Sequence, residues 1–181
     1  AFAFGTASFI VNHQRPPLGP TDDPAARQIR KAIDMYIDRG LENELVYEGL
    51  GLDIYFYWCG FDWIYTCDEW TQFPGHNNDA TVKAADQAEA KRIMESLGYG
   101  PDNLLELVLL SSSTGSGKRA SELMQEHLKG LYIDASLRIP PGGESVYEDQ
   151  FAGRFDIVYD VSGYGLLDPV IFDQNKYLPV E

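Results

Sequence analysis

Residues 111–122 read SSSTGSGKRASE and follow the apolar run LLELVLL at 104–110. A strand, a glycine-rich turn, a lysine and a helix are the parts of a phosphate-cradling loop, so nucleotide binding is the first chemistry to test. Such a loop has the form G-x-x-x-x-G-K-[ST]. Its first glycine lets backbone N–H groups face the phosphates, and the hydroxyl after the lysine holds Mg²⁺. Anchored on Gly117 and Lys118, the first glycine falls on Ser112 and the hydroxyl on Arg119. Both diagnostic positions fail. The stretch reads instead as a polar connection whose serines and glycines turn the chain and start a helix.

Carboxylates are the next candidates. Asp53, Asp62, Asp68 and Glu69 stand among aromatic residues. Two acids roughly 5–9 Å apart beside sugar-stacking rings are the apparatus of glycoside hydrolysis. An acidic surface on an acidic protein is the plainer account. No Gly-x-Ser-x-Gly elbow occurs, so that hydrolase signature is absent. His13, His76 and His127 share no ligand spacing, and Cys59 and Cys67 lie too far apart for a zinc framework. The two cysteines fit either a disulfide of an exported protein or two buried thiols. No catalytic residue, metal ligand or cofactor is assigned.

The elements that must position these groups are α and β in alternation. SFIVN (8–12) reads as a strand, and the proline-rich turn RPPLGPTDDP (15–24) leads into a helix opened by Asp23 and Pro24. Helical spacing of Ile29, Ala32, Ile33, Tyr36 and Ile37 carries it to about Arg39, with Gly40 as the stop. A second short helix is expected over 41–49, a third from Asp86 to Leu97, and a fourth from Ala120 to Lys129. LLELVLL, LYIDASLRI (131–139) and FDIVYDV (155–161) read as strands. A loop with a short helix precedes the last of them. This order predicts an α/β sandwich with some parallel pairing.

The chain of 181 residues suits one domain or one lobe of something larger. Its 28 acids against 14 Lys and Arg give a net charge of -14, which repels phosphate backbones and argues against nucleic acid as a partner. No apolar run reaches the length of a membrane span. The start AFAFGTASFIVN lacks the basic and apolar regions of a signal peptide, and both ends read as those of a piece of a longer protein.

The most informative stretch is LDIYFYWCGFDWIYTCDEWTQF (52–73), which holds all three tryptophans. Clustered Trp and Tyr serve as core, as a partner contact, or as a platform for sugar rings and peptide side chains. The interspersed acids must reach water, so the whole stretch cannot be core.

Three segments together resemble family 5 solute-binding proteins of ABC importers, the oligopeptide and dipeptide binders. The first is SFIVNHQRPPLGPTDDPAARQIRKAIDMYIDR (8–39), similar to a strand and "PP" turn leading into a helix of the form VRQAIxxAIDR. Its matching residues are Asn12, Pro16, Pro17, Ile29, Arg30, Lys31, Ala32, Ile33, Ile37, Asp38 and Arg39. The second is AEAKRIMESLGYGPDNLLELVLL (88–110), followed by ASELMQEHLKGLYI (120–133) in the place of a lobe helix. The third is GRFDIVYDVSGYGLLDPVIF (153–172), with Phe155, Asp156, Asp168, Pro169 and Phe172 on the family pattern.

The resemblance implies a periplasmic-binding-protein-like (type II) lobe, a mixed sheet flanked by helices, with 1–181 as a single incomplete C-terminal lobe of a two-lobe protein. It implies a non-enzymatic receptor, periplasmic or extracellular and tied to the membrane through its transporter. Its partners would be a solute, an ABC permease and the missing lobe. The family's tryptophan before the DP motif is Ser162 here, and the acid that pairs with a peptide's amino group falls on Gly165. An oligosaccharide held by stacking is therefore as strong an expectation as a peptide. Trp58, Trp63, Trp70 and Tyr164 are the expected ligand contacts. A carbohydrate-active enzyme using the acids of 53–69, and a protein-interaction module, are the competing readings.

Overall fold

A computed structural model of the chain describes residues 5–51, 69, 71–112, 115–140 and 146–163. Four strands alternate with five helices in that part of the chain. The strands are β1 (Gly5–Val11), β2 (Leu105–Leu110), β3 (Ile133–Arg138) and β4 (Ile157–Gly163). The helices are α1 (Pro24–Tyr36), α2 (Arg39–Tyr47), α3 (Ala80–Ser96), α4 (Gly115–Gly130) and α5 (Val146–Phe151). No helix among the described residues is long and apolar enough to cross a membrane.

The strands form one mixed sheet in the order β1-β4-β2-β3. β2 pairs in parallel with β3, Leu105 opposite Ile133, and with β4, Leu109 opposite Ile157. β1 closes the far edge antiparallel to β4, running from Gly5 opposite Gly163 to Val11 opposite Ile157. Alternation along β2 sorts the two faces. Leu105, Leu107 and Leu109 join Ile29, Ile33, Met94, Met124 and Leu128 in the main core under α1, α3 and α4. Leu110 points the other way, to Phe155 and Val158, with Ile10 and Val146 of α5 packed against them. Each fully buried leucine contributes about 1.5–3 kcal/mol, so the helix-covered face carries most of the stability.

Helix boundaries depart from the periodicity for a local reason. α1 begins as expected, its Asp23 carboxylate accepting the N–H groups of Ala25 (2.7 Å) and Ala26 (3.1 Å). It ends at Tyr36 rather than near Arg39, because Ile37 turns extended and the Asp38 carboxylate accepts Leu41 N–H at 2.9 Å. Asp38 thus starts a new helix, and Gly40 lies in its first turn instead of stopping the old one. α3 begins at Ala80, not Asp86. Asp79 caps it through Thr81 N–H (2.9 Å) and Val82 N–H (3.1 Å), which frees Asp86 for another task. β4 starts two residues later than the apolar pattern, since Phe155 and Asp156 form its lead-in. α4 starts at Gly115, five residues before its expected start, so the glycines of the P-loop lookalike are its first turn.

Candidate functional site

In an open sheet with parallel strands, ligands bind beyond the carboxyl ends, where neighbouring strands send the chain in opposite directions. Here that place lies between β2 and β4. From β2 the chain passes through α4 to β3 on one side, and from β3 it returns through α5 to β4 on the other. The carboxyl end of β2 runs into Ser111 and Ser112, and the carboxyl end of β4 into Gly163.

Among the described residues, the side chains at this edge do not assemble a phosphate site. Ser111 is fully buried, and its hydroxyl lies 3.1 Å from Gly117 O and 3.2 Å from Ser112 O, turned inward to tie the strand end to α4. Lys118 lies along the helix surface and meets Glu122, one turn on, at 3.7 Å. Arg119 reaches toward α2 and the Val46 carbonyl at 3.5 Å. That exposed pair is a weak surface contact, so the case against a nucleotide rests on Ser112 and Arg119 at the two diagnostic positions.

A second group of polar residues gathers where α2 crosses α4 and β4, and no sequence signal marked it. Val46, Ala120 and Tyr159 pack together, with Phe9 and Tyr47 against them. Phe9 meets Tyr159 edge-on at 5.4 Å between ring centres, a favourable arrangement for aromatic quadrupoles. The Tyr47 and Tyr159 hydroxyls are 2.5 Å apart. Burial, and then the bond to Tyr159 and the nearby Glu42, push the Tyr47 phenol up. Burial also raises Tyr159. Both phenols are neutral at physiological pH, one donating to the other. Burial pushes the Glu42 carboxyl up to about 7, against the pull of Arg39.

The third group surrounds Gly75, past the aromatic stretch. Lys83 is 5% exposed, and its ammonium donates to the carbonyls of Ile37 and Gly75, both at 2.9 Å. Burying a charge is tolerated only with such partners. Arg39 donates to Gly75 O at 3.1 Å and pairs with Asp34. Asp86, free of capping duty, accepts Gly75 N–H at 2.7 Å. His76 Nε2 lies 3.1 Å from Asp34 Oδ2. Burial would raise the Asp34 carboxyl, but the His76 and Arg39 bonds outweigh it and leave it lowered. Burial pushes the Lys83 ammonium and the nearby His127 imidazole down. His76 is thus a hydrogen-bonded side chain, His127 is half-buried and His13 is exposed. Among the described residues no group of His, Cys, Asp and Glu could hold a metal ion.

The expected ligand contacts Trp58, Trp63, Trp70 and Tyr164 lie outside the described residues, as do Asp53, Asp62, Asp68, Cys59 and Cys67. Glu69 is described and exposed. Of the motif residues, Asn12 and Asp156 are structural. Asn12 Nδ2 donates to Phe155 O at 3.0 Å, and the Asp156 carboxylate accepts Val108 N–H at 2.7 Å and Arg15 Nη2 at 3.0 Å.

Three solved structures share this fold. The murein tripeptide binding protein MppA of Escherichia coli is 25% identical with a TM-score of 0.66, covering 92% of this chain and 30% of its own. OppA of Haemophilus influenzae, in complex with RPPGFSPFR, is 21% identical with a TM-score of 0.65, covering 97% and 32%. NikA of Brucella suis, in complex with Fe(III)-EDTA, is 22% identical with a TM-score of 0.67, covering 98% and 34%. The chain therefore spans about a third of the length of the structures it matches. Among curated proteins, no sequence matches it. The profile of the bacterial extracellular solute-binding proteins, family 5 middle region, matches residues 3–177, nearly the whole chain. The mixed sheet and flanking helices are those of a periplasmic-binding-protein-like lobe, and the chain belongs to the family 5 bacterial extracellular solute-binding proteins.

Proposed function

We propose that the protein captures a solute outside the cytoplasmic membrane and hands it to the permease of an ABC importer. Residues 1–181 form a single, incomplete C-terminal lobe of that receptor. The solute sits between this lobe and a second one, at the carboxyl ends of β2 and β4, and closure of the two lobes traps it. Its chemistry is that of a peptide or an oligosaccharide, held by stacking and hydrogen bonds from Trp58, Trp63, Trp70 and Tyr164. No bond of the solute is made or broken. The observation that carries this reading is the family match across residues 3–177. Two of the three similar structures point to peptides, OppA solved with a nonapeptide and MppA a periplasmic murein tripeptide binding protein, while NikA was solved with Fe(III)-EDTA.

The test is intrinsic tryptophan fluorescence, because the only three tryptophans lie within 58–70. Titration with short peptides, with oligosaccharides, and with ATP and Mg²⁺ separates the readings. A saturable change with peptides or with oligosaccharides, and intact solute recovered afterwards, is the expected result and identifies the class. A response to ATP, or a hydrolysed sugar, overturns the proposal.

A further inference from the structure

At the carboxyl edge of the sheet, β2 and β3 stop together, Leu110 opposite Arg138. β4 runs on to Gly163, paired all the way with β1. Leu110 also stands opposite Val158, so Tyr159 is the first residue of β4 past the end of β2. Alternation turns Tyr159 to the same face as Ile157, the face packed against α4, and Phe9 of β1 lies opposite it.

α2 brings Tyr47 to this point. Its Val46 packs with Ala120 of α4 and with Tyr159, and Phe9, Tyr47 and Leu123 close around that contact. Tyr159 is 2% exposed, whereas Tyr47 is only half-buried. Of the two phenols, Tyr47 is the one that a solute can reach.

The two hydroxyls lie 2.5 Å apart and share one hydrogen bond. Two phenols carry two protons, and a single bond between them uses one. Among the described residues neither hydroxyl has another partner. A proton left on Tyr159 would be buried without an acceptor, which is the costly arrangement. Tyr159 therefore donates to Tyr47, and the hydroxyl of Tyr47 keeps a proton to give. Glu42 acts on both phenols through its charge but shares no hydrogen bond with either.

We propose that Tyr47 is a solute contact. Its hydroxyl, held by the bond from Tyr159, donates to an uncharged oxygen of the solute, a peptide carbonyl or a sugar hydroxyl. The assignment deepens the receptor reading and rests on it, but draws on none of the four aromatic residues named there. An anionic oxygen at this position would be set beside the Glu42 carboxyl in a largely apolar surround, where unpaired charge is not tolerated.

The test titrates two uncharged probes, N-acetyl-trialanine amide and maltotriose, into the chain and follows binding by saturation-transfer NMR. The probe that binds identifies the source of the oxygen. Tyr47→Phe removes the hydroxyl and keeps the ring. Affinity for that probe should fall about fivefold, the worth of one hydrogen bond, while the thermal melt confirms a folded variant. Tyr159→Phe breaks the same pair but leaves the Tyr47 hydroxyl, and should cost roughly twofold or less. Equal losses in the two variants would mean that the pair only braces α2, and would overturn the inference. Unchanged affinity in Tyr47→Phe would also overturn it and leave the receptor reading standing. If Tyr47→Phe does not fold, the ring resonances of Tyr47 in the unaltered chain decide: they shift as the probe binds, or the contact is wrong. Binding of neither probe by the unaltered chain removes the receptor reading, and this contact with it. Tighter binding of glutarate than of either probe would overturn the assignment to an uncharged oxygen.

Discussion

At the scale of the residue, Asp156 shows how a family motif can be structural. It is 6% exposed and joins three parts of the chain: its carboxylate takes Val108 N–H of the central strand and the guanidinium of Arg15, and its own N–H donates to Val108 O at 2.9 Å. Asp156→Ala leaves the Val108 N–H in a dry place without an acceptor. That loss costs about 1–3 kcal/mol, more than the net value of an ordinary hydrogen bond. Urea unfolding should show a lower midpoint at an unchanged slope. A change below about 0.5 kcal/mol, the range of indifferent surface substitutions, would mean that water reaches Val108 and that the residue has another role. Asn12 belongs to the same corner, donating to Phe155 O while accepting Gln14 N–H at 3.0 Å. Both residues lie at the amino end of β4, where the antiparallel β1 ends, and not at the carboxyl ends of β2 and β4. Both were marked by the motif, and both are bonded within the lobe.

At the scale of the element, α5 is the shortest of the described helices. It has only six residues and covers the smaller core, with Tyr147 and Phe151 on its exposed side. Propensity cannot hold so short a helix. Asp149 does: its carboxylate takes Arg138 Nε at 2.5 Å and Nη2 at 3.0 Å, and Arg154 Nε at 2.6 Å, joining α5 to the end of β3 and to the approach to β4. The Arg138 and then the Arg154 bonds hold the carboxyl below its ordinary value of 3.8. Its contribution is therefore present above that value and lost as the pH falls through the lowered one. Asp149→Asn should speed hydrogen exchange of the α5 amides at neutral pH, and acidification below 3.8 should do the same in the unaltered chain once intrinsic rates are corrected. Equal protection of α5 in both proteins would show that the apolar contacts of Val146 suffice.

The same scale shows what was legible. Among the described residues, the four strands and the helices α1, α3 and α4 followed from the apolar pattern, because each buries one face, whereas α2 and α5 were expected only as short helices without such a pattern. The boundaries did not, because Asp38 and Asp79 each present a carboxylate to the N–H groups two or three residues on. An acid with that role looks, in sequence, like any acid in a run of polar residues. The Tyr47–Tyr159 contact joins residues 112 positions apart, and the clamp on Gly75 draws on two helices, α2 and α3. Periodicity carries no such information.

At the scale of the molecule, strand order and charge govern what the lobe can hold. The order β1-β4-β2-β3 sets the carboxyl ends of β2 and β4 side by side, which the order of elements along the chain does not determine without the family pattern. Charge, by contrast, is legible at once. With 28 acids against 14 Lys and Arg, the chain carries -14. The pairs at Arg15–Asp156 and at Asp149 with Arg138 and Arg154 neutralise only a few of those acids. The rest repel one another in the compact state, and salt shortens the reach of that repulsion from about 30 Å at 0.01 M to about 8 Å at 0.15 M. Raising sodium chloride across that range should therefore raise the melting temperature of the chain by a few degrees, roughly 1 kcal/mol in stability on the scale of a domain of this size. If the buried ion pairs dominated instead, screening would weaken them and the melting temperature would fall. A rise places the acids mainly on the surface as a diffuse field, where they would favour a cationic or neutral solute over an anionic one at the distance of first encounter.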